Sequence, residues 1–294
     1  MLTLDKCIVC GSGNFEPFLT CKDYTVSKQD FNIVSCKSCE FKFTNPRPSD
    51  SEIGNYYKSE DYVSHSNTKK GLIYKLYHAV RSHTLKKKLE LISSYVSRGT
   101  ILDYGCGTGM FLNTCKDADW NCFGYEPDPD ARKIAGEKGT KVVDSKDQLK
   151  QLIGTNKFDI ITLWHVMEHV TDVDQTLRFF KDNLSDKGTL IIAVPNHVSF
   201  DGKLYKEFWA GYDVPRHLYH FELSTMQKLL GNYGFKLETT KPMEFDSYYV
   251  SMLSEKYKTR SMNYLSAFIN GFRSNLKAKL ASDYSSVIYI FRKA

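Results

Sequence analysis

The residues Ile101-Leu102-Asp103-Tyr104-Gly105-Cys106-Gly107-Thr108-Gly109-Met110-Phe111-Leu112 constrain this chain more than any others. An apolar run ends at Asp103, a glycine-rich turn follows, and a helical pattern opens near Met110. Gly105 and Gly107 let the backbone turn sharply and let a ligand approach it closely. From Gly99 onward, short apolar strands are expected at 100–104, 122–125, 141–143, 159–163 and 189–194, with helical stretches between them. That alternation specifies an α/β fold in which a Rossmann-like parallel sheet carries helices on both faces. Ligands of such sheets sit beyond the carboxyl ends of the strands. A later strand pair is expected at 235–238 and 286–291, with amphipathic stretches at 246–257 and 263–280 between its members.

A glycine-rich turn alone does not name its ligand, because a dinucleotide loop also joins a strand to a helix. The usual dinucleotide pattern is G-x-G-x-x-G, and here the third glycine, Gly109, comes one residue early. The next strand ends in Gly124-Tyr125-Glu126. A carboxylate at that point accepts both hydroxyls of a ribose, a device that nicotinamide enzymes share. Glu126 therefore points to a ribose without choosing the cofactor.

Residues 1–45 have a different character, rich in Cys, Phe and polar residues. Cys7-x-x-Cys10 and Cys36-x-x-Cys39 form two knuckles, each offering two thiolates from one tight turn. Zinc takes four tetrahedral N or S ligands, and a filled set of four indicates a structural rather than a catalytic ion. A segment this short buries little core by itself, so a Zn2+ cross-link is the expected remedy. Cys21 reads as a core thiol. The turn Asn45-Pro46-Arg47-Pro48 ends this region. The expected organisation is a zinc module over 1–45, a helical linker over 46–98 and a catalytic domain over 99–294. The clearest linker helix covers 72–96, with Ile73, Leu76, Val80, Leu85, Leu89 and Ile92 at helical spacing.

Four ordered segments then resemble one family. The loop Asp103 to Leu112 resembles motif I of class I S-adenosylmethionine (SAM)-dependent methyltransferases. Gly124-Tyr125-Glu126-Pro127-Asp128 resembles their acidic second motif, Phe158 through Val170 their fourth-strand motif, and Leu184 through Asn196 their fifth. The resemblance covers about residues 99–240, and the C-terminal strand pair fits the family's reversed seventh strand. It implies roles by position. Gly105, Cys106 and Gly107 pack against the methionine part of SAM. Asp103 orients the loop or the ammonium group, and Glu126 holds the ribose. Asp144 lies near the adenine, and Trp164 and His165 flank the cofactor near the sulfonium. Plain core packing is the alternative for Trp164.

Methyl transfer needs an aligned nucleophile and, for a hydroxyl or carbon acid, a base. Histidines suit that task near neutrality. The segment 209–221 carries Trp209, Tyr212, Arg216, His217, Tyr219, His220 and Phe221, a composition expected of a lid over the sheet edge. It resembles the lid of bacterial methyltransferases with an N-terminal zinc module, including nucleotide-sugar C-methyltransferases. That resemblance makes His217 the base, with Arg216 where those enzymes carry Glu and free to grip a substrate phosphate or carboxylate. The alternative is that His217 fixes the lid by a backbone hydrogen bond. His165 is a second catalytic candidate. His165, Glu168 and His169 also share one helical face and suit a divalent metal, unless the last two only orient the loop.

The net charge of +6 is thinly spread. The run Lys86-Lys87-Lys88 reads as a solvated helix face, and the zinc region balances its lysines with acids, which argues against nucleic acid as a partner. No apolar run reaches the ~18–20 residues that span a bilayer, and no signal peptide is evident, so a cytoplasmic protein is expected. The 246–280 stretch is expected to pack on the sheet rather than to make peripheral membrane contact. A small-molecule acceptor, such as a sugar, a glycan precursor or another ring-shaped metabolite, is the leading reading. The alternatives are an RNA or protein methyltransferase with the zinc module as reader, and a silent SAM-binding scaffold.

Overall fold

The computed structural model describes residues 1–58 and 72–294. The part of the expected linker at 59–71, and the side chains of Ile73 and Leu76, lie outside the described residues. The main sheet has seven strands: β4 (Thr100–Tyr104), β5 (Asn121–Tyr125), β6 (Lys141–Val143), β7 (Phe158–Trp164), β8 (Leu184–Pro195), β10 (Phe235–Pro242) and β11 (Ser286–Lys293). Their order is β10-β11-β8-β7-β4-β5-β6. The five strands from β6 to β8 are parallel, and β11 runs against both of its neighbours. The α/β expectation is thus met, and all seven strands lie where the apolar runs placed them, within a few residues.

Helices cover both faces: α1 (Leu72–Ser93), α2 (Met110–Lys116), α3 (Pro129–Glu137), α4 (Lys146–Ile153), α5 (Val173–Asn183), α6 (Phe200–Tyr205) and α7 (Leu223–Gly231). Alternate residues of one strand therefore feed opposite cores. Leu190, Ile192 and Val194 of β8 join one cluster, while Ile191 and Ala193 join the other with Ile92 of α1. Burial on both faces explains why these strands read as unbroken apolar runs. From β4 the chain moves outward through β5 and β6, then returns to β7 on the other side of β4. That reversal opens a crevice at the carboxyl ends of β4 and β7, and it fixes where a ligand sits.

A second sheet has the order β1-β2-β3-β9. Strands β1 (Phe15–Lys22), β2 (Asp30–Cys36) and β3 (Lys42–Thr44) come from the N-terminal region. The fourth strand, β9 (Tyr219–His220), comes from the lid, with Lys42 opposite His220 and Phe43 opposite Tyr219. The N-terminal region is therefore knitted into the lid.

Between β10 and β11 the chain forms a helical hairpin, α8 (Asp246–Thr259) and α9 (Tyr264–Ala281). Here the structure corrects the expected packing on the sheet. Helix α9 lies against α8 and α6 through small residues, including Ala267, Ser274 and Ala278, and its large apolar side chains face outward. Two helical patterns were legible, but a pattern does not say whether its apolar face meets protein. Among the described residues, no helix is long and apolar enough to cross a membrane.

Candidate active site

Strand β4 delivers Asp103 to the crevice almost fully buried, where it accepts a 2.7 Å hydrogen bond from the Thr162 hydroxyl of β7. Burial outweighs that bond and the Lys88 ammonium, and pushes the Asp103 carboxyl up to about 6. The chain then turns through Gly105 at φ +78°, where a Cβ would come within 2.5 Å of Val166. Gly107, at φ +53°, has open space on its Cβ side. Cys106 is buried beside them, its thiol facing Gly124 of β5.

At the end of β5, Glu126 accepts hydrogen bonds from the Gly107 amide at 2.7 Å and the Asp128 amide at 2.9 Å. Burial raises its pKa, and these amides pull the other way. Asp144, just past β6, pairs with Arg132 at 2.9 Å, and Arg132 also donates to the Glu126 carbonyl. Trp164 meets Phe111 edge-on, as a core ring does, yet its Nε1 is buried without a hydrogen-bond partner. Lys88 of α1 lies over the Trp164 ring, its Nζ 4.2 Å from the centroid. Burial lowers its pKa, against the attraction of Asp103 and Asp246. The solvated face expected of Lys86-Lys87-Lys88 thus fails at Lys88, which a helix turns toward the crevice. These residues fit SAM: open space over Gly107, a carboxylate at the ribose position and an orphaned indole N–H converge at the strand ends.

The histidines divide into two groups. His165, at φ +57°, places Nε2 2.9 Å from Asp246 and Nδ1 3.5 Å from Glu168. Burial pulls its pKa down, but the two carboxylates outweigh burial and raise it to about 10. Both ring nitrogens of His165 thus face carboxylates, an arrangement that favours the imidazolium over a free base. Asp246 sits on α8, far away in sequence, so nothing local signalled this pair.

His169 and His217 form the other group, with ring centroids 4.6 Å apart. His217 Nδ1 donates to the Gly211 carbonyl at 2.8 Å, and His169 Nδ1 lies 3.0 Å from the Arg216 carbonyl. A carbonyl only accepts, so each ring directs an Nδ1–H at its carbonyl. The lid-fixing bond of His217 is thus present, and it engages Nδ1. Burial, then the His217 charge, lowers His169 to about 4. Glu168 is buried beside them, with one carboxylate oxygen 3.5 Å from His165 Nδ1. Ligand atoms of Glu168, His169 and His217 lie within 4.8 Å of one another and can hold a metal ion. This trio replaces the expected His165, Glu168 and His169, because His165 is taken up by Asp246.

His165, His169, Asp213, His217, Asp246 and Tyr249 line a cavity of about 480 Å³ beyond the end of β8. Arg216 does not reach it. Its guanidinium is 1% exposed and bonded to Asp213, Asp23 and the Tyr56 carbonyl. The expected grip on a substrate anion is therefore corrected to a buried tie between lid and N-terminal region.

In that region Cys7 and Cys39 approach to 3.6 Å, and Cys10 and Cys36 to 3.5 Å. All four sulfurs lie within 4.8 Å of one another. Tetrahedral Zn–S bonds of about 2.3 Å put sulfurs roughly 3.8 Å apart, so the cluster fits zinc. The Val9 amide donates to Cys7 Sγ, and backbone N–H groups outweigh burial to lower Cys36 to about 7.

A family model described as a methyltransferase domain matches residues 77–240. A ubiquinone biosynthesis O-methyltransferase from Rickettsia canadensis (strain McKiel) is 22% identical over 198 residues, which cover 63% of this chain and 84% of that protein. An uncharacterized methyltransferase from Bacillus velezensis is 24% identical over 161 residues, covering 51% of this chain and 76% of its own. The solved structure of magnesium protoporphyrin IX methyltransferase from Synechocystis PCC 6803 with bound SAH superposes with a TM-score of 0.52. It is 14% identical and covers 82% of this chain and 97% of its own, which shows a shared fold. Since the family model runs over more than half of the sequence, from helix α1 before the glycine loop to strand β10, the chain belongs to the methyltransferase-domain family and is a SAM-dependent methyltransferase.

Proposed function

We propose that this enzyme methylates a hydroxyl of a small, ring-shaped acceptor bound in the cavity under the lid, with His217 as the general base. The observation that carries this reading is the His217 ring, held by its Nδ1–H bond to Gly211 in the wall of the cavity, which leaves Nε2 as the nitrogen to meet an acceptor. SAM supplies an activated methyl group. Glu126 would hold its ribose, Asp103 its ammonium group, Gly105, Cys106 and Gly107 its methionine part, and Asp144 would lie near the adenine. His217 Nε2 would take the proton of the acceptor hydroxyl as the methyl group passes from SAM to its oxygen, leaving SAH. The protein must align nucleophile and methyl, and the rings of Tyr24, Tyr249 and Tyr257 in the cavity wall suit a flat acceptor. The ubiquinone-biosynthesis relative supports an O-methyl acceptor of that kind over a sugar. Residues 1–45, bearing a structural zinc on Cys7, Cys10, Cys36 and Cys39, would brace the lid. The helical linker 46–98 would lead into the catalytic domain 99–294.

The test combines calorimetric titration with SAH and an acceptor screen. Glu126→Ala should weaken SAH binding strongly, whereas His217→Ala should bind SAH normally and lose turnover on phenols and hydroquinones. If His217→Ala retains turnover with an unchanged pH profile, the base assignment is wrong. Turnover on nucleotide sugars alone would restore the sugar reading.

A further inference from the structure

Helix α9 is turned inside out relative to an ordinary surface helix. Its inward row, Ala267, Gly271, Ser274 and Ala278, is made of small residues and is buried. A Cβ on Gly271 would come within 2.9 Å of the Tyr248 Cα, so α9 is pressed closely on α8 along this row. The outward row carries Leu265, Phe268, Phe272, Leu276 and Leu280. Each of these is more than half exposed, and Leu280 is 92% exposed. Steps of three and four residues make them one continuous stripe. Continuous apolar surface of this kind marks an interaction site.

Charge selects the partner. Between Ser247 and Ser282 every exposed charged side chain is cationic: Lys256, Lys258, Arg260, Arg273, Lys277 and Lys279. The one acid in that span, Glu255, points inward to Tyr205, Ser266 and Asn270. With about 3.6 residues per turn, Arg273 and Lys277 border the stripe on one side and Lys279 on the other. A second copy of this chain would set six cations against six. A bilayer containing anionic lipid offers hydrocarbon to the stripe and phosphate to its rim.

We propose that the α8–α9 hairpin docks this enzyme on an anionic membrane surface, with the α9 stripe at headgroup depth and the flanking cations on lipid phosphates. Tyr249, Val250 and Leu253 of α8 line the cavity, so the helix on which α9 packs is also a wall of the cavity. On the functional reading above, that arrangement brings the cavity to an acceptor dissolved in the bilayer.

Co-sedimentation of the full chain with vesicles tests the docking without any need for turnover. Phosphatidylcholine vesicles are compared with vesicles containing about 30% phosphatidylglycerol, a content that gives a negative surface potential. Binding is expected to the anionic vesicles and should weaken by about tenfold or more at high salt, because the cations are screened. The double variant Leu276→Ser, Leu280→Ser should also lose about tenfold or more, since each methylene withdrawn from the lipid counts. Arg273→Gln with Lys277→Gln should remove the preference for anionic vesicles. Titration with SAH should be unchanged in both, which shows that they are folded and separates docking from methyl transfer. Absence of binding to either vesicle, or binding that both variants retain, overturns the proposal. So does a dimer in vesicle-free solution that the leucine variant dissociates, which would assign the stripe to a second copy.

Discussion

Replacing Arg216 with methionine removes a cation that water barely reaches. The guanidinium makes two bonds to Asp213, at 2.9 and 2.6 Å, one to Asp23 at 3.0 Å and one to the Tyr56 carbonyl at 3.0 Å. Asp23 is fully buried but also accepts from Thr25, Val26 and Ser27, so it stays partly compensated. Asp213 has less to fall back on, since the His217 ring nitrogen beside it, Nε2, is 4.0 Å away. Removing one partner of a buried pair typically costs about 3–5 kcal/mol, and the compensated Asp23 puts Arg216→Met near the lower end of that range. Native stabilities are only about 5–15 kcal/mol, so Arg216→Lys serves as the milder companion. It keeps the charge, loses the planar fork, and should cost about half as much. The assay is urea unfolding followed by circular dichroism at pH 7, with unchanged m-values showing that only stability has moved. A loss below about 1 kcal/mol for Arg216→Met, within what a surface pair contributes, would mean that water solvates both carboxylates and that the tie does not hold the lid.

On the zinc site proposed above, a strong chelator should loosen the edge of the second sheet where β3 meets β9, because zinc binding supplies on the order of 10 kcal/mol to such modules. Hydrogen exchange would show this as faster exchange at Phe43 and Tyr219, and unchanged exchange would deny the cysteines a metal. Lys88→Ala should weaken SAH binding several-fold, since it removes the cation over Trp164 and beside Asp103; titration with unchanged affinity would return Lys88 to a packing role. His165, raised from 6.5 to about 10, adds stability that is fully present below pH ~6.5 and is lost as pH rises through about 10. The ring is 33% exposed, so solvent screening reduces this to roughly 1–2 kcal/mol. His165→Asn should flatten the difference in stability between pH 6 and pH 10, and parallel wild-type and variant curves would refute the pairing.

What the sequence disclosed and what it withheld follow one physical line. The strands of the main sheet were legible because burial on both faces leaves an apolar run at each, and the glycine loop because its backbone must turn between strand and helix. The cysteine knuckles were legible from spacing alone. The pairs that shape the cavity and tie down its lid were not. His165 meets Asp246 and His217 meets His169 at the cavity, and Arg216 meets Asp23 beneath the lid, each across a gap that no periodicity spans. Lys88 was hidden because a lysine run looks solvated until a helix turns one member inward. The stripe on α9 was legible as amphipathic, but only tertiary structure shows that its small residues, not its large ones, face the protein.

The strand β9 has a consequence for how the chain assembles. Thr44 and His220 hydrogen-bond across 176 positions of sequence. During synthesis the cysteine knuckles and β1 to β3 emerge well before the lid, so the open edge of β3 waits until the lid has been made. Contacts so distant form late and slowly, because the intervening loop must close before they contribute. An unpaired edge in the meantime is a template for wrong pairing with another chain. The lid therefore has a second part to play, as the piece that seals a sheet whose other strands were made long before it. Sequence changes in 219–220 should show up as aggregation of nascent chains before they show up as altered methylation.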